Sequence, residues 1–572
     1  MDRIGVANPI PGVVYPDPDH LRSYVERGVL THETLASAFA DIVKRFPGRT
    51  ALSEPDWSCS FSELDALTDK AASAFIRLGL APLDRVLFQV PNSKELVISV
   101  LGCLKAGLIP ICTLVAHRRL EIGYLGRHAS ARAHFVSAND PRFDFIDFAR
   151  EMRKEIPTLI ATIVTAGSTD EVDPAVHQLA ACIERENATE AKQRVSAISL
   201  DPFQIAFFQL SGGTTGVPKI IPRFHNEYLY TIRTVIAFHA LDENTVAFTP
   251  NPMMHNAPMI CIWGPALFGG GEVATCTSLD VEVMGRLLTL RRPNWMLVTV
   301  PILNRMKDSG WLAKLDFSHV RGFSVTAGVA RFSEMAGGAP TWPLFGMTEG
   351  IICYCNASDA LEARHETVGR PLSEFDEIKI LEPFSETEVQ LGELGELAIR
   401  GPCTTRGYFD AEERNREAFT SDGFYRSGDL IRIRTIGERR YLIFAGRLKD
   451  VVDRGGEKVN CEEVENVALA HPAVGAIAIV GMPDRMYGER ACAFVVLTSG
   501  IKSLSVSELG SFLQDRGMAK FKWPERIEIV DDFPLTSSGK ISKPKLKELI
   551  IELLRREGTS STVLAPAKSK AS

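Results

Sequence analysis

Nine consecutive residues, Ser211-Gly212-Gly213-Thr214-Thr215-Gly216-Val217-Pro218-Lys219, carry the densest chemistry in the chain. Glycine reaches backbone conformations closed to other residues, so successive N–H groups in such a stretch can turn toward one anion. Ser211, Thr214 and Thr215 add hydroxyl donors, and Lys219 adds a positive charge. The preceding run, Ile205 to Leu210, reads as a buried strand. A strand that leads into such a loop is a triphosphate cradle. It is not the Walker arrangement, which ends in Gly-Lys-Ser/Thr, because Val217 and Pro218 separate Gly216 from Lys219. The plainer alternative, an ordinary Gly/Thr hairpin turn, does not account for three glycines, three hydroxyls and a lysine in nine residues.

This loop resembles the phosphate loop of the adenylate-forming superfamily of acyl-CoA synthetases, peptide-synthetase adenylation domains and luciferases. The wider stretch, Phe207-Phe208-Gln209-Leu210 through Ile221-Pro222-Arg223-Phe224-His225-Asn226, looks like the subgroup that activates aryl acids such as dihydroxybenzoate and salicylate. Further stretches follow in that family's order. Asn251-Pro252-Met253-Met254-His255-Asn256-Ala257-Pro258-Met259-Ile260-Cys261 resembles the aryl-acid motif, in which the His flanks the pocket and the Asn hydrogen-bonds the acid. Gly328-Val329-Ala330-Arg331 is similar to the segment whose backbone lies against adenine and the aryl ring; Val329 stands where Gly is usual and would narrow the slot. Phe345-Gly346-Met347-Thr348-Glu349-Gly350 resembles the motif whose carboxylate shares Mg²⁺ with the triphosphate. The resemblance gives Thr348 and Glu349 catalytic roles and makes Glu349 the metal ligand. In Tyr425-Arg426-Ser427-Gly428-Asp429-Leu430, Asp429 sits at the ribose position. In Gly446-Arg447-Leu448-Lys449-Asp450, the family's hinge, Arg447 would face the nucleotide and Lys449 occupies the pivot. Pro534-Leu535-Thr536-Ser537-Ser538-Gly539-Lys540 is similar to the final motif with its lysine. The likeness spans residues 25 to 555.

The chemistry implied is carboxylate activation. A carboxylate is a poor electrophile because its leaving group is oxide. Joining it to the α-phosphorus of ATP makes an acyl-AMP and expels pyrophosphate, after which a thiol can attack. An anion meets an anion, so the site must supply positive charge and donors where charge builds up. By resemblance, Lys540 bridges the carboxylate and α-phosphate, the 211–219 loop and Mg²⁺ hold the leaving pyrophosphate, and Asp429 anchors ribose. The small domain carrying Lys540 would then rotate at the hinge and open a pantetheine tunnel. The thiol is CoA or the phosphopantetheine of a separate aryl carrier protein, since no carrier domain follows.

Two positions bear on the acid. The sixth residue after the motif His tends to be Ser in dihydroxybenzoate enzymes and Cys in salicylate enzymes; here it is Cys261. The residue before Phe-Gly-Met is commonly Val in the former and Leu in the latter; here it is Leu344. A thiol is a weak donor and behaves as a small hydrophobe. A ring hydroxyl facing it would lose hydrogen bonds it had in water. Both positions favour an ortho-hydroxy acid with nothing polar beside that hydroxyl, salicylate first. Asn256 would read the ortho hydroxyl or the carboxylate. The opposing view is that Cys261 and Leu344 only pack. Ala257 stands where many members carry an aromatic residue, and the vacated volume admits a larger bicyclic or substituted hydroxy acid. Two rivals have other functions. A catalytically silent binding homologue is opposed by the presence of Lys540, Glu349 and Asp429, and a luciferase-type oxygenase by His255-Asn256.

The elements that must position these residues are alternating helices and short apolar strands, an α/β class with largely buried sheets. A chain of 572 residues needs more than one domain. The expected division is a large domain over 1–445 with the acid, ATP and Mg²⁺ sites, a small mobile α+β domain over 446–557 with the lysine, and a polar tail over 558–572 with too little apolar surface to fold. In the large domain, one helix is expected before residue 50. A second helix, capped by Ser62 with Asp65, should carry Leu64, Leu67, Ala71, Phe75 and Leu78. Strands are expected over Arg85–Val90, near Thr245–Thr249 and over Trp295–Val300. The net charge of −7 offers no general attraction to nucleic acid or an anionic membrane. The first residues lack the apolar run of a signal peptide. Leu96 to Val115 is broken by Lys105 and Pro110 and reads as a buried helix and strand. Eleven scattered cysteines without paired spacing fit reduced thiols in a cytoplasm.

Overall fold

Short apolar runs between helices pack best into parallel sheets covered on both faces. In the computed structural model, which describes residues 3–167, 173–211, 218–455, 457–536 and 541–558, four such runs form the middle of a sheet. The order is Val176–Gln178, Ala161–Val164, Ala133–Val136, Arg85–Gln89, Ile109–Ile111, Ile205–Leu210 and Ile220–Phe224. Neighbours are parallel except the last pair, which is antiparallel and flanks the 211–219 loop. Both strands of that pair are buried at every residue.

Nine strands make a second sheet. Its order is Arg370–Pro371, Gly350–Tyr354, Thr341–Met347, Gly322–Val325, Trp295–Leu297, Val246–Phe248, Glu272–Ala274, Thr50–Glu54 and Trp57–Ser60. The pair Thr341–Met347 and Gly350–Tyr354 is antiparallel and leaves Thr348 and Glu349 in the turn between them. A four-stranded antiparallel sheet, Glu377–Leu381, Leu394–Arg400, Tyr425–Ile436 and Arg439–Arg447, sets Asp429 opposite Arg447.

Beyond Arg447 a five-stranded sheet begins, with Val474–Asp484 and Gly488–Leu497 as its long pair. Successive side chains alternate between its faces. Ile477, Ile479, Ala493 and Val495 join the core beneath the helices Cys461–Ala468 and Val506–Asp515. Ala478, Val480, Cys492 and Phe494 pack on the other face with Leu546 and Ile550 of the helix Lys543–Arg556. Among the described residues no helix is long and apolar enough to cross a membrane.

Several expectations need correction. Two helices, Pro18–Glu26 and Leu35–Arg45, precede residue 50 where one was expected. The next helix runs Phe61–Arg77 and is capped by Ser60 with Glu63, not by Ser62 with Asp65. The Ser60 N–H donates to the Glu63 carboxylate at 2.7 Å, and Ser60 Oγ accepts from the Glu63 N–H at 3.3 Å. Phe61 is fully buried and starts the apolar stripe, so the helix must begin before Ser62. The strand expected to reach Val300 stops at Leu297, and the helix Val300–Asp308 takes over with Pro301 in its first turn, where a missing N–H costs nothing. The helix Lys543–Arg556 was not anticipated. Of the expected tail, all but Gly558 lies outside the described residues.

The broken apolar run is explained by Lys105, which ends the helix Lys94–Lys105. Its buried ammonium meets Asp65 and Asp69, each at 2.6 Å. Burial raises the Asp69 carboxyl, and Lys105 opposes the rise. Lys105→Met is therefore expected to cost about 3 kcal/mol at pH 7, because it strands buried carboxylate charge. A carboxyl whose folded pKa lies above its unfolded value is most compatible with folding when protonated, so the loss should shrink at pH 5. Urea unfolding of parent and variant at the two pH values measures both effects.

Candidate active site

The described ends of the 211–219 loop close on each other. The Ser211 N–H donates to the Lys219 carbonyl at 3.0 Å, and the Lys219 N–H donates to Ser211 Oγ at 3.3 Å. Gly212, Gly213, Thr214, Thr215 and Gly216 lie outside the described residues, as does Lys540. The Lys219 ammonium stands 4.5 Å from the centre of the Tyr408 ring. Burial lowers its pKa, and the nearby charge of Arg414 adds to that.

Tyr408 also reaches the Thr348–Glu349 turn, where its hydroxyl donates to Glu349 Oε1 at 2.9 Å. The turn is held from below by Arg223, which is fully buried on the strand leaving the loop. Arg223 donates from Nη1 to the Thr348 carbonyl at 2.8 Å and from Nη2 to the Cys403 carbonyl at 2.9 Å. Its Nε pairs with Glu227 at 2.6 Å. Burial raises the Glu227 carboxyl while Arg223 opposes the rise.

The donor set at Glu349 suits a hard cation that leans on phosphate. A carboxylate has about four lone-pair sites, so one hydrogen bond from Tyr408 does not exhaust it. Among the described residues no three His, Cys, Asp or Glu side chains gather as metal ligands. A Mg²⁺ at Glu349 would draw most of its oxygens from phosphate and water, which is its habit in nucleotide sites.

Asp429 and Arg447, both expected to meet the nucleotide, here meet each other, with Nε 3.1 Å from Oδ1. Lys449 lies two residues on, in a 3₁₀ turn over Leu448–Asp450, and burial lowers its pKa, with Arg447 adding to the effect. Gly446, just before Arg447, has φ +116°, and a Cβ there would fall 2.7 Å from Asn460 Oδ1. Only glycine lets the chain leave the four-stranded sheet this way. Lys219, Glu349, Asp429, Arg447 and Lys449 therefore share one region.

The acid-side residues lie in the large core. Gly328 takes a left-handed conformation, φ +68°, at the start of the helix Val329–Met335. His255 is partly buried and leads into Asn256–Pro258. Asn256 is buried, and its Oδ1 accepts the Tyr228 hydroxyl at 2.5 Å, which leaves the amide N–H₂ as the group it can present to an acid. Cys261 is fully buried in a π-helical turn, Met259–Trp263, and burial pushes its thiol up to about 12. Its backbone carbonyl accepts from Trp295 Nε1 at 2.8 Å. The neighbouring Tyr354 hydroxyl opposes the rise of the thiol, and that hydroxyl meets Ser324 Oγ at 2.9 Å. Tyr354 is also the register partner of Leu344, so one tyrosine stands behind both discriminating positions.

Four side chains at this site carried no prior expectation: Arg223, Tyr228, Tyr354 and Tyr408. The available signal was a polar atom inside an apolar run, as at Arg223 in Ile220–Phe224 and Tyr354 in Gly350–Tyr354.

Comparison with known proteins finds relatives along nearly the whole chain. The model of the AMP-binding enzyme family matches residues 39–409, and that of the AMP-binding enzyme C-terminal domain matches residues 463–540. A 2,3-dihydroxybenzoate-AMP ligase from Bacillus subtilis is 36% identical, over 94% of this chain and 98% of its own. A salicylyl-CoA synthase / salicylate adenylyltransferase from a Streptomyces species is 34% identical, over 92% and 95%. A 2-hydroxy-7-methoxy-5-methyl-1-naphthoate–CoA ligase from Streptomyces carzinostaticus is 35% identical, over 95% and 98%.

Arg223→Lys is expected to destabilise the fold by about 3 kcal/mol although it keeps the charge. One ammonium can serve Glu227 but not two further carbonyls in the plane of a guanidinium, and each buried carbonyl left without a donor costs about 1–3 kcal/mol. The urea midpoint at unchanged m-value reads the loss.

Proposed function

The chain belongs to the AMP-binding enzyme family, among the ligases that adenylate aryl acids, and we propose that it activates an ortho-hydroxy aryl acid, salicylate first. A carboxylate oxygen attacks the α-phosphorus of ATP, the bond to the bridging oxygen breaks, and pyrophosphate leaves. A pantetheine thiolate then attacks the acyl carbon of the aryl-AMP and AMP leaves, giving a thioester. Mg²⁺ would neutralise phosphate charge as the pyrophosphate departs.

The observation that carries the reading is the meeting of three separate chain segments at one pair of tyrosines. The loop lysine Lys219, the turn carboxylate Glu349 and the strand holding Asp429 all converge on Tyr408 and Tyr425. In this reading Ser211, Gly212, Gly213, Thr214, Thr215, Gly216 and Lys219 cradle the phosphates, with Thr348 beside the metal carboxylate Glu349. Asp429 takes the ribose and Arg447 faces the nucleotide. Gly328 lies between adenine and the acid. His255, Asn256, Cys261 and Leu344 surround the ring. Lys540 on a small domain of residues 446–557 approaches the large domain of residues 1–445 by turning about Lys449.

Salicylate leads because the buried Cys261 thiol is a weak donor and offers a ring hydroxyl no strong partner. A larger bicyclic acid is the second reading, favoured by the small Ala257 and by the naphthoate ligase among the relatives. The test is ATP–pyrophosphate exchange with salicylate, dihydroxybenzoate, benzoate and a hydroxynaphthoate, repeated with CoA to look for accumulating acyl-CoA. Exchange with none of the acids would sink the proposal. Strongest exchange with hydroxynaphthoate would move the second reading to first.

Lys540→Ala is expected to slow adenylation by on the order of 10²–10³ while thioester formation from supplied aryl-AMP survives. Pyrophosphate release and single-turnover thioester formation measure the two steps apart. Cys261→Ser with Leu344→Val should move kcat/KM toward dihydroxybenzoate by roughly 5- to 150-fold, since a matched hydroxyl pair removes a mismatch of about 1–3 kcal/mol. An unchanged salicylate-to-dihydroxybenzoate ratio would mean that neither residue faces the ring.

A further inference from the structure

Tyr408 lies in Arg406-Gly407-Tyr408-Phe409, a stretch to which no role has been given. Its backbone is clamped at two points. The Tyr408 N–H donates to Asn415 Oδ1 at 2.8 Å, and its carbonyl accepts from Asn415 Nδ2 at 2.9 Å. The side chain is 2% exposed, so its position is set by the fold and not by solvent. Its hydroxyl has one proton, and that proton goes to Glu349 Oε1. The Tyr425 hydroxyl, 2.9 Å away, must then donate to the Tyr408 oxygen. The result is a directed chain, Tyr425 to Tyr408 to Glu349, which ends on a carboxylate oxygen and fixes its orientation. Such chains strengthen each member where the dielectric is low.

The face of the same ring carries the Lys219 ammonium at 4.5 Å, within cation–π range. Lysine is a point charge on a flexible stem, so it can rest on the ring and still swing to a phosphate. The ammonium and the carboxylate feel each other's charge while both rest on the same side chain. We propose that Tyr408 is a positioning residue for nucleotide binding: its hydroxyl presents Glu349 to the metal, and its ring holds Lys219 ready for phosphate. The proposal rests on the reading of Lys219 and Glu349 as partners of Mg·ATP.

Calorimetric titration of the full-length protein with ATP, with and without Mg²⁺, tests it alongside thermal melts. Tyr408→Phe keeps the ring and removes the hydroxyl. It should bind metal-free ATP like the parent and lose on the order of 10- to 150-fold in affinity for Mg·ATP, the size of one hydrogen bond to a charged group. Placed on Glu349→Gln, the same change should add no further loss. Tyr408→Leu removes both contacts and should lose affinity in both titrations, as Lys219 and Glu349 pair with each other. A Phe variant with parental Mg·ATP affinity and a lowered melting temperature would make Tyr408 a packing residue only and overturn the proposal. An undiminished effect of Tyr408→Phe in the Glu349→Gln background would overturn it as well, because the hydroxyl would not act through Glu349. A parent protein that binds no Mg·ATP would fell the nucleotide reading itself, an outcome distinct from the other two.

Discussion

The guanidinium of Arg223 is where three sheets are tied together. Arg223 belongs to the seven-stranded sheet, the Thr348 carbonyl to the turn of the nine-stranded sheet, and the Cys403 carbonyl to the segment that leaves the four-stranded sheet. A planar fork with several donors is the one side chain that can hold acceptors from different directions in fixed geometry. Its charge is matched inside the core by Glu227, four residues on along the chain. The strand that leaves the 211–219 stretch and the Thr348–Glu349 turn are consequently tied through one buried side chain, to which the sequence assigned no ligand.

The acid side is built on the same plan with tyrosines in place of arginine. Asn256 is oriented because Tyr228 occupies its carbonyl oxygen. Cys261 and Leu344 are oriented because Tyr354 backs both, with Ser324 satisfying the phenol. An aromatic ring fills volume while its hydroxyl fixes a neighbour, so pocket shape and pocket polarity are set together. A change at Cys261 or Leu344 is therefore also a change in what Tyr354 can bond.

The sequence was most legible where the physics is local. The strands Ile205–Leu210 and Arg85–Gln89 follow from apolar runs within a single window. The expectations for the 211–219 loop, Glu349, Asp429 and the 446–450 segment arose because each sits in a short stretch with a recognisable order of residues. Local reading slipped where two registers compete: Ser62 with Asp65 has the same spacing as the true cap, Ser60 with Glu63, and only the burial of Phe61 decides between them. The helix Lys543–Arg556 was missed although Leu546, Leu549, Ile550, Leu553 and Leu554 recur at helical spacing among its charges; it is held by packing of Leu546 and Ile550 on a sheet. Arg223 and Tyr408 were out of reach for another reason. Their partners lie 125, 180 and 59 residues away, and no window of sequence contains both members of a pair.

The pairing of Asp429 with Arg447 joins the proposed ribose position to the start of the proposed hinge. Asp429 is almost wholly buried and Arg447 is 44% exposed, so the carboxylate is the fixed member and the arginine the movable one. A ribose that accepts Asp429 as its anchor competes with Arg447 for the same oxygens. Arg447 follows Gly446 directly and precedes Lys449 by two residues, in a segment whose backbone is fixed on one side by the sheet and on the other by Asn460, which bonds the Ala445 carbonyl and caps the helix Cys461–Ala468. In the proposed reading, displacing the arginine from Asp429 would loosen a side-chain contact between the ribose anchor and the start of the hinge, while Asn460 still fixes where the helix Cys461–Ala468 begins. Nucleotide arrival and small-domain position would then be coupled through that exchange, since a ligand that takes up one partner of an ion pair changes the free energy of every arrangement that needs the pair intact.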